Sequence, residues 1–284
     1  MTQRHNNDSD QAWRLLYARL ERDGLLAGIA DKKTARFPRL QTVGWAAAAI
    51  ALLCLSTVMV LRLTDGNSST DSPLLTLYNE EGAATLAATL EDGSVVYLAD
   101  NTHLHYPRHF SEEKREVTLR GNALFDIEAN PKRPFYVETP QLRIEVRGTA
   151  FHVNSGEGRP VGLSVQRGEV VVTLKGSRQT LSVGAGETAT LSSNILEVAP
   201  TTDAGQFARM TELMKFKDEK LADILRIVNK RASGIRLEAA PLPGERLLTV
   251  TLSDDSPEAI ARLLCAAFNL RYVKENGVLL IMDQ

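Results

Sequence analysis

The stretch V-R-G-T-A-F, Val146 to Phe151, places a threonine directly after a glycine. A threonine hydroxyl can attack the carbonyl carbon that precedes it. The peptide C–N bond then breaks, the acyl group passes to oxygen, and water opens the ester. Such an N→O acyl shift needs a strained peptide, and glycine tolerates strain. Gly148 and Thr149 are therefore the candidate self-cleavage pair. The other reading is a β-bulge glycine followed by a β-branched strand residue. His152 lies three residues beyond Thr149, on the opposite face of such a strand, and is poorly placed as a base. His103 and His105 share one strand face and His109 follows, but no cysteine and no helical carboxylate–histidine pattern joins them. They read as strand-end histidines, so no metal site is expected. No G-x-S-x-G and no phosphate-binding glycine loop occurs. The pairs Lys114-Arg115 and Lys132-Arg133 are too short for a nucleic-acid patch, and the net charge is −2. The expectation is no enzymatic turnover, no cofactor and no direct nucleic-acid partner.

Residues 74–198 carry no long helical pattern. They hold short alternating runs broken by glycine: L-E-D-G-S-V-V-Y-L, L-R-G-N-A-L-F-D-I, V-R-G-T-A-F-H-V, V-Q-R-G-E-V-V-V-T-L and V-G-A-G-E-T-A-T-L. Each reads as hydrophobics, a kink or turn at Gly93, Gly121, Gly148, Gly168 or Gly186, then renewed alternation. This predicts a stacked all-β domain, sandwich or solenoid-like. After a linker at 199–208 the apolar period lengthens from two residues to that of a helix. Leu221, Ile224, Leu225 and Val228 form one helical face; Ile260, Leu263, Leu264, Ala267 and Phe268 form another. Ser256, Pro257 and Glu258 suit the start of the second helix. At an offset of 36 residues, Met214, Phe216, Asp218, Ile224, Ile227 and Val228 meet Val250, Leu252, Asp254, Ile260, Leu263 and Leu264. The expected module at 209–284 is a small α/β domain of two strand–helix–strand units, with helices covering one sheet face. Cys265 reads as a small buried hydrophobe.

From Val43 to Leu61 the chain reads V-G-W-A-A-A-A-I-A-L-L-C-L-S-T-V-M-V-L, without a charge. That length matches a bilayer core, so one transmembrane helix is expected at 43–62, followed by a polar linker at 63–73. Cys54 would lie inside it, out of reach of Cys265. Lys and Arg are frequent from Arg4 to Arg39, whereas between Arg62 and Arg108 there are none. That asymmetry places the N-terminus in the cytoplasm and residues beyond the span outside it. Residues 1–42 hold one expected helix, startable by Ser9 or Asp10 and ended by Gly24. Its Trp13, Leu16, Tyr17 and Leu20 share a side. A segment this short closes no core of its own, so the stripe suits a partner or the membrane surface.

These residues together resemble the FecR family of membrane-anchored anti-sigma factors. L-E-D-G-S-V-V-Y-L is similar to its L-P-D-G-S-x-V-x-L element. V-T-L-R-G-N-A-L-F-D-I is similar to V-x-L-x-G-E-A-x-F-x-V, with Asn122 in place of the usual Glu. K-R-P-F-Y-V-E-T is similar to R-P-F-x-V-x-T, and V-R-G-T-A-F-H-V to L-G-T-x-F-x-V, with Arg147 in place of Leu. The tail resembles the C-terminal domain of Bacteroidetes members, which is related to short N-terminal domains of secretins and TonB-dependent receptors. The resemblance implies a single-pass inner-membrane protein with its C-terminus in the periplasm. Its cytoplasmic segment would hold an extracytoplasmic-function sigma factor, here through Trp13, Leu16, Tyr17 and Leu20. Its periplasmic part would meet the signalling domain of a TonB-dependent outer-membrane transporter. Some members self-cleave at a Gly–Thr bond, which points again to Gly148 and Thr149. Regulated proteolysis with an intramembrane protease, helped by Gly44, Ser56 and Thr57 in the expected span, would release the inner segment. The alternative is a bitopic periplasmic scaffold, a secretion or envelope-assembly partner, with no sigma factor.

Overall fold

Val117 and Leu119 are buried while Thr118 and Arg120 face solvent, and Leu142, Ile144 and Val146 are buried around exposed Arg143. Strands of this kind have one dry face and one wet one, and two sheets of them must close on each other. The computed structural model describes residues 6–23, 56–57, 59, 73–156, 158, 160–231, 234–253 and 256–284. Met1–Ser68 and Ser69–Gln284 are separate compact units.

In the second unit the sandwich strands are β1 (Leu74–Asn79), β2 (Thr85–Thr89), β3 (Val95–Leu98), β4 (Thr102–Pro107), β5 (Arg115–Arg120), β6 (Asn122–Asp126) and β7 (Phe135–Glu138). Then come β8 (Leu142–Val146), β9 (Ala150–Asn154), β10 (Gly162–Arg167), β11 (Glu169–Leu174), β12 (Thr180–Gly184), β13 (Glu187–Ser192) and β14 (Ile195–Pro200). One sheet runs β1-β4-β5-β7-β8-β11-β12. In the other, β2-β3-β6-β9-β10-β13-β14 lie in that order. Both sheets thus advance in chain order, and the chain steps from one to the other as it winds. Phe125 stacks on Phe151 with ring centroids 5.3 Å apart, and Phe135 of the facing sheet lies 6.5 Å from Phe125. Around them Leu104, Leu119, Leu142 and Val153 are fully buried.

The remaining elements are α2 (Gln206–Arg209), β15 (Leu213–Lys220), α3 (Leu221–Asn229), β16 (Arg236–Ala239), α4 (Pro241–Gly244), β17 (Leu247–Ser253), α5 (Pro257–Phe268), β18 (Leu270–Glu275) and β19 (Val278–Asp283). Helix α5 starts where its sequence signals it. Ser256 Oγ accepts the Ala259 N–H at 3.3 Å, Pro257 follows, and Asn269 ends the helix in a left-handed conformation.

The expected fold class needs two corrections. First, the two strand–helix–strand units do not share one sheet under their helices. β15 and β17 extend the second sandwich sheet beyond β2, whereas β16, β19 and β18 form a separate sheet of three strands. The reason lies in β2, β3 and β6, whose central residues are buried on both faces. Ala87, Val95, Tyr97 and Leu124 point away from the sandwich interior and need a cover. Helix α3 supplies it with Leu221, Ile224, Leu225, Ile227 and Val228, all buried in the same cluster. Second, among the described residues no helix is long and apolar enough to cross a membrane. The longest, α1 (Asn6–Arg22), has 17 residues and carries Asp8, Asp10, Arg14, Arg19, Glu21 and Arg22. Of the stretch 43–62 only Ser56, Thr57 and Met59 are described, so the helix expected there, with Gly44 and Cys54, lies outside the described residues.

Candidate functional site

The Gly148–Thr149 peptide does not sit inside a strand. β8 ends at Val146 in one sheet and β9 begins at Ala150 in the other, so Arg147, Gly148 and Thr149 form the corner between sheets. Gly121, between β5 and β6, and Gly168, between β10 and β11, occupy corners of the same kind. Gly148 adopts φ +151°, and a Cβ there would stand 2.7 Å from the Cα and Cβ of Ala129. Both the backbone conformation and the close approach demand glycine. The neighbouring chain pins the corner on either side. Ile127 N–H donates to the Thr149 carbonyl at 3.0 Å, and Asn130 N–H to the Arg147 carbonyl at 2.8 Å.

Thr149 is buried, and its hydroxyl donates to the Glu169 carbonyl at 3.0 Å. A hydroxyl engaged in this way holds the β10–β11 corner against the β8–β9 corner. Among the described residues no ionisable side chain hydrogen-bonds it. His152 is directed elsewhere, its Nε2 hydrogen-bonding Asn122 Oδ1. The structure therefore brings Gly148 and Thr149 together with a carbonyl acceptor and not with a base.

Gly148 also lines a cleft of about 770 Å³ between the second sandwich sheet and the C-terminal elements. Phe207 and Leu124 give it an apolar wall; Asp126, Arg167 and Lys230 give it a charged one. Asp126 joins the two sides, accepting Arg167 Nη2 at 2.9 Å and Lys230 Nζ at 2.6 Å. Burial, reinforced by the nearby Asp126 charge, holds the Tyr97 phenol well above its ordinary value. It stays neutral in the neutral pH range.

The other candidates lie apart. His103 stacks on Tyr78 at 4.3 Å, and His105 Nδ1 pairs with Thr76 Oγ1 at 2.8 Å. His109 Nδ1 pairs with Glu91 at 2.8 Å. Among the described residues no group of three or more His, Cys, Asp or Glu converges. Cys265 is buried in α5, and desolvation raises its thiol. On α1, Trp13 and Leu16 are exposed and Leu20 is half-buried; the Tyr17 side chain lies outside the description.

Residues 79–171 match the family model described as FecR protein. That stretch is a FecR domain. No curated protein matches it. Two crystal structures of a "putative anti-sigma factor" from Parabacteroides distasonis are similar at 21% and 20% identity. Each covers 74% of this chain and 99% of its own, with a TM-score of 0.46.

Within the FecR domain the D-G-S element, Asp92 to Ser94, has a structural role. Asp92 accepts the Ser94 N–H at 3.1 Å, the Ser94 hydroxyl at 2.7 Å and Arg115 Nη1 at 2.6 Å. Arg115 is almost wholly buried; it also donates to the carbonyls of Arg133 and Glu128 and lies over the Phe135 ring. A buried pair of this kind persists only when its remaining donors and acceptors are filled, as most are here. From the outer side, Arg226 of α3 donates to the Gly93 carbonyl at 2.8 Å. Sequence reasoning missed Arg226, Lys230 and Asp126 as a set. The available signal was the unbroken apolar run V-V-Y-L, which marks a strand covered on both faces.

Proposed function

We propose that this chain is a FecR-family anti-sigma factor. In this reading residues 1–42 hold an extracytoplasmic-function sigma factor through Trp13, Leu16, Tyr17 and Leu20. The FecR domain and the elements docked on it receive a periplasmic signal from the signalling domain of a TonB-dependent outer-membrane transporter. Regulated proteolysis then frees the sigma factor. One observation carries the reading: a FecR domain shares its chain with an amphipathic helix that leaves large apolar side chains bare. Trp13 is 59% exposed, Leu15 72% and Leu16 49%. An exposed apolar stripe on a helix gains stability when a partner groove covers it.

The test is co-purification of the full chain from its own cells. A sigma factor is expected to be retained by the natural chain. It should be lost when Trp13→Ala and Leu20→Ala are combined, by at least about tenfold if two buried apolar anchors contribute 1–2 kcal/mol or more. Retention of the sigma factor by that double variant at natural affinity would overturn the assignment of α1.

A further inference from the structure

Strand β15 meets the sandwich on one side and β17 on the other. Toward β2 the contact is a short parallel pairing, Met214 opposite Thr85 and Lys215 opposite Leu86, continued by Glu219, whose Oε1 accepts the Thr89 N–H at 3.2 Å. Toward β17 it is a long antiparallel one, from Leu213 opposite Ser253 to Lys220 opposite Leu247. β17 is the last strand of its sheet, and among the described residues no strand pairs with its outer side. That edge reads L-L-T-V-T-L-S, without a charge, a proline or a glycine. Native sheets usually blunt such an edge with a charge or a proline. The opposite edge of the same sheet is blunted, since β14 carries Glu197 and closes on Pro200. An uncharged edge of high β-propensity left bare is a template for another strand.

The edge is complementary to itself. Leu248 to Leu252 reads the same in both directions, L-T-V-T-L. Two copies laid antiparallel about a two-fold axis at Val250 set Leu248 against Leu252, Thr249 against Thr251 and Val250 against Val250. The burial pattern agrees on both faces. Leu248 and Leu252 are buried and Val250 is half-buried toward the second core, whereas Thr249 and Thr251 are exposed on the other face. The same register sets Leu247 against Ser253 of the second copy. Beyond that serine, on the same face, stands Leu213 of the second copy, two strand spacings or about 10 Å away. In the single chain Leu247 is 63% exposed and Leu213 47%, and the pairing shields both, once in each half of the dimer.

We propose that β17 pairs with β17 of a second copy of this chain, joining two sandwiches through one continuous sheet. The interface is isologous, as a palindromic edge requires. Its backbone hydrogen bonds supply affinity, and its like-with-like side chains fix the register. A single edge strand buries less surface than a permanent dimer does, so the pair forms and separates with concentration. This goes beyond the anti-sigma reading and does not depend on it.

The test is light scattering of the purified full chain, with hydrogen exchange of the β17 amides followed over the same concentrations. The mass is expected to rise from that of one chain toward that of two, and the outward amides of β17 should gain protection in step. Leu247→Glu combined with Thr251→Glu charges the edge at two exposed positions. Each new carboxylate lies opposite a lysine of its own chain, Lys220 or Lys215, so the fold is retained. Association should weaken at least about tenfold, because the charges of the two copies now face each other across the axis. A chain that keeps the single mass throughout would overturn the proposal. So would a dimer that survives the double variant, or one whose β17 amides exchange as fast as in the single chain. The exchange measurement on the natural chain decides the matter even if the variant misfolds. Protection of β17 by a different protein, with none from a second copy, would assign the edge elsewhere and reject self-pairing.

Discussion

Val95 and Val96 are neighbours on β3, and both are fully buried, yet they serve different cores. Val96 faces the sandwich interior with Phe125 and Phe151. Val95 faces outward, under α3 with Phe216 and Ile224. The first core is closed by long ladders; β6 and β9 keep register from Asn122 opposite Asn154 to Asp126 opposite Ala150. The second is closed along β2 by the Thr85 and Leu86 pairings and by Glu219, and elsewhere by Arg226 of α3 on the Gly93 carbonyl and by Lys230, just past α3, on Asp126. A surface held that way opens more readily than one held by continuous strand pairing. One strand therefore serves two cores, and the second is expected to open more readily than the first.

The sharpest way to break this comparison is to damage each core in turn. Phe125→Ala removes a fully buried ring stacked on Phe151, and a loss of about 3–5 kcal/mol is expected. Denaturant unfolding should shift, and exchange protection should fall together in the β6–β9 ladder and in α3. If only α3 lost protection, the sandwich would not be the foundation of the unit.

Ile224→Ala should cost somewhat less, about 2–4 kcal/mol, because it removes a smaller side chain than Phe125→Ala does. Its consequence should be local. Amides of α3 and β15 are expected to exchange faster while those of Phe151 and Val153 keep their protection. Uniform loss across both regions would mean that the two cores form a single cooperative block and that no separate seam exists.

Much of this was legible in the residues. The glycines at positions 121, 148 and 168 stand out in alternating runs, and each proves to mark a passage between sheets. What alternation cannot convey is which sheet the next strand enters, because both sheets present the same period. V-R-G-T-A-F therefore reads as one strand although it is the end of one, a corner and the start of another. The tail shows the same limit. The periodicity of α3 and α5 was plain, and Ser256 announced its helix. The partners of β15 and β17 were not, since a strand's own residues do not name its neighbour. The second clue lay in the sandwich, where V-V-Y-L leaves no polar side for water. The candidate site was half visible. Gly148 was singled out by type and position, but the acceptor of the Thr149 hydroxyl, the carbonyl of Glu169, comes from a residue 20 positions away.

Thr149→Val is the smallest change and bears on both regions, because the corner it occupies lies beside the cleft beneath the C-terminal elements. Valine keeps the branch and removes the hydroxyl, leaving the Glu169 carbonyl without this donor. A loss of about 1–2 kcal/mol is expected, with the fold retained. The same variant separates a structural hydroxyl from a nucleophilic one. If Thr149 attacks the Gly148 carbonyl, cleaved fragments vanish in Thr149→Val and persist in Thr149→Ser, which keeps an oxygen on Cβ. If its role is to join two corners, stability falls by this amount and the fragment pattern of the natural chain is unchanged. Mass spectrometry of the purified chain, read beside a denaturation curve, distinguishes the two.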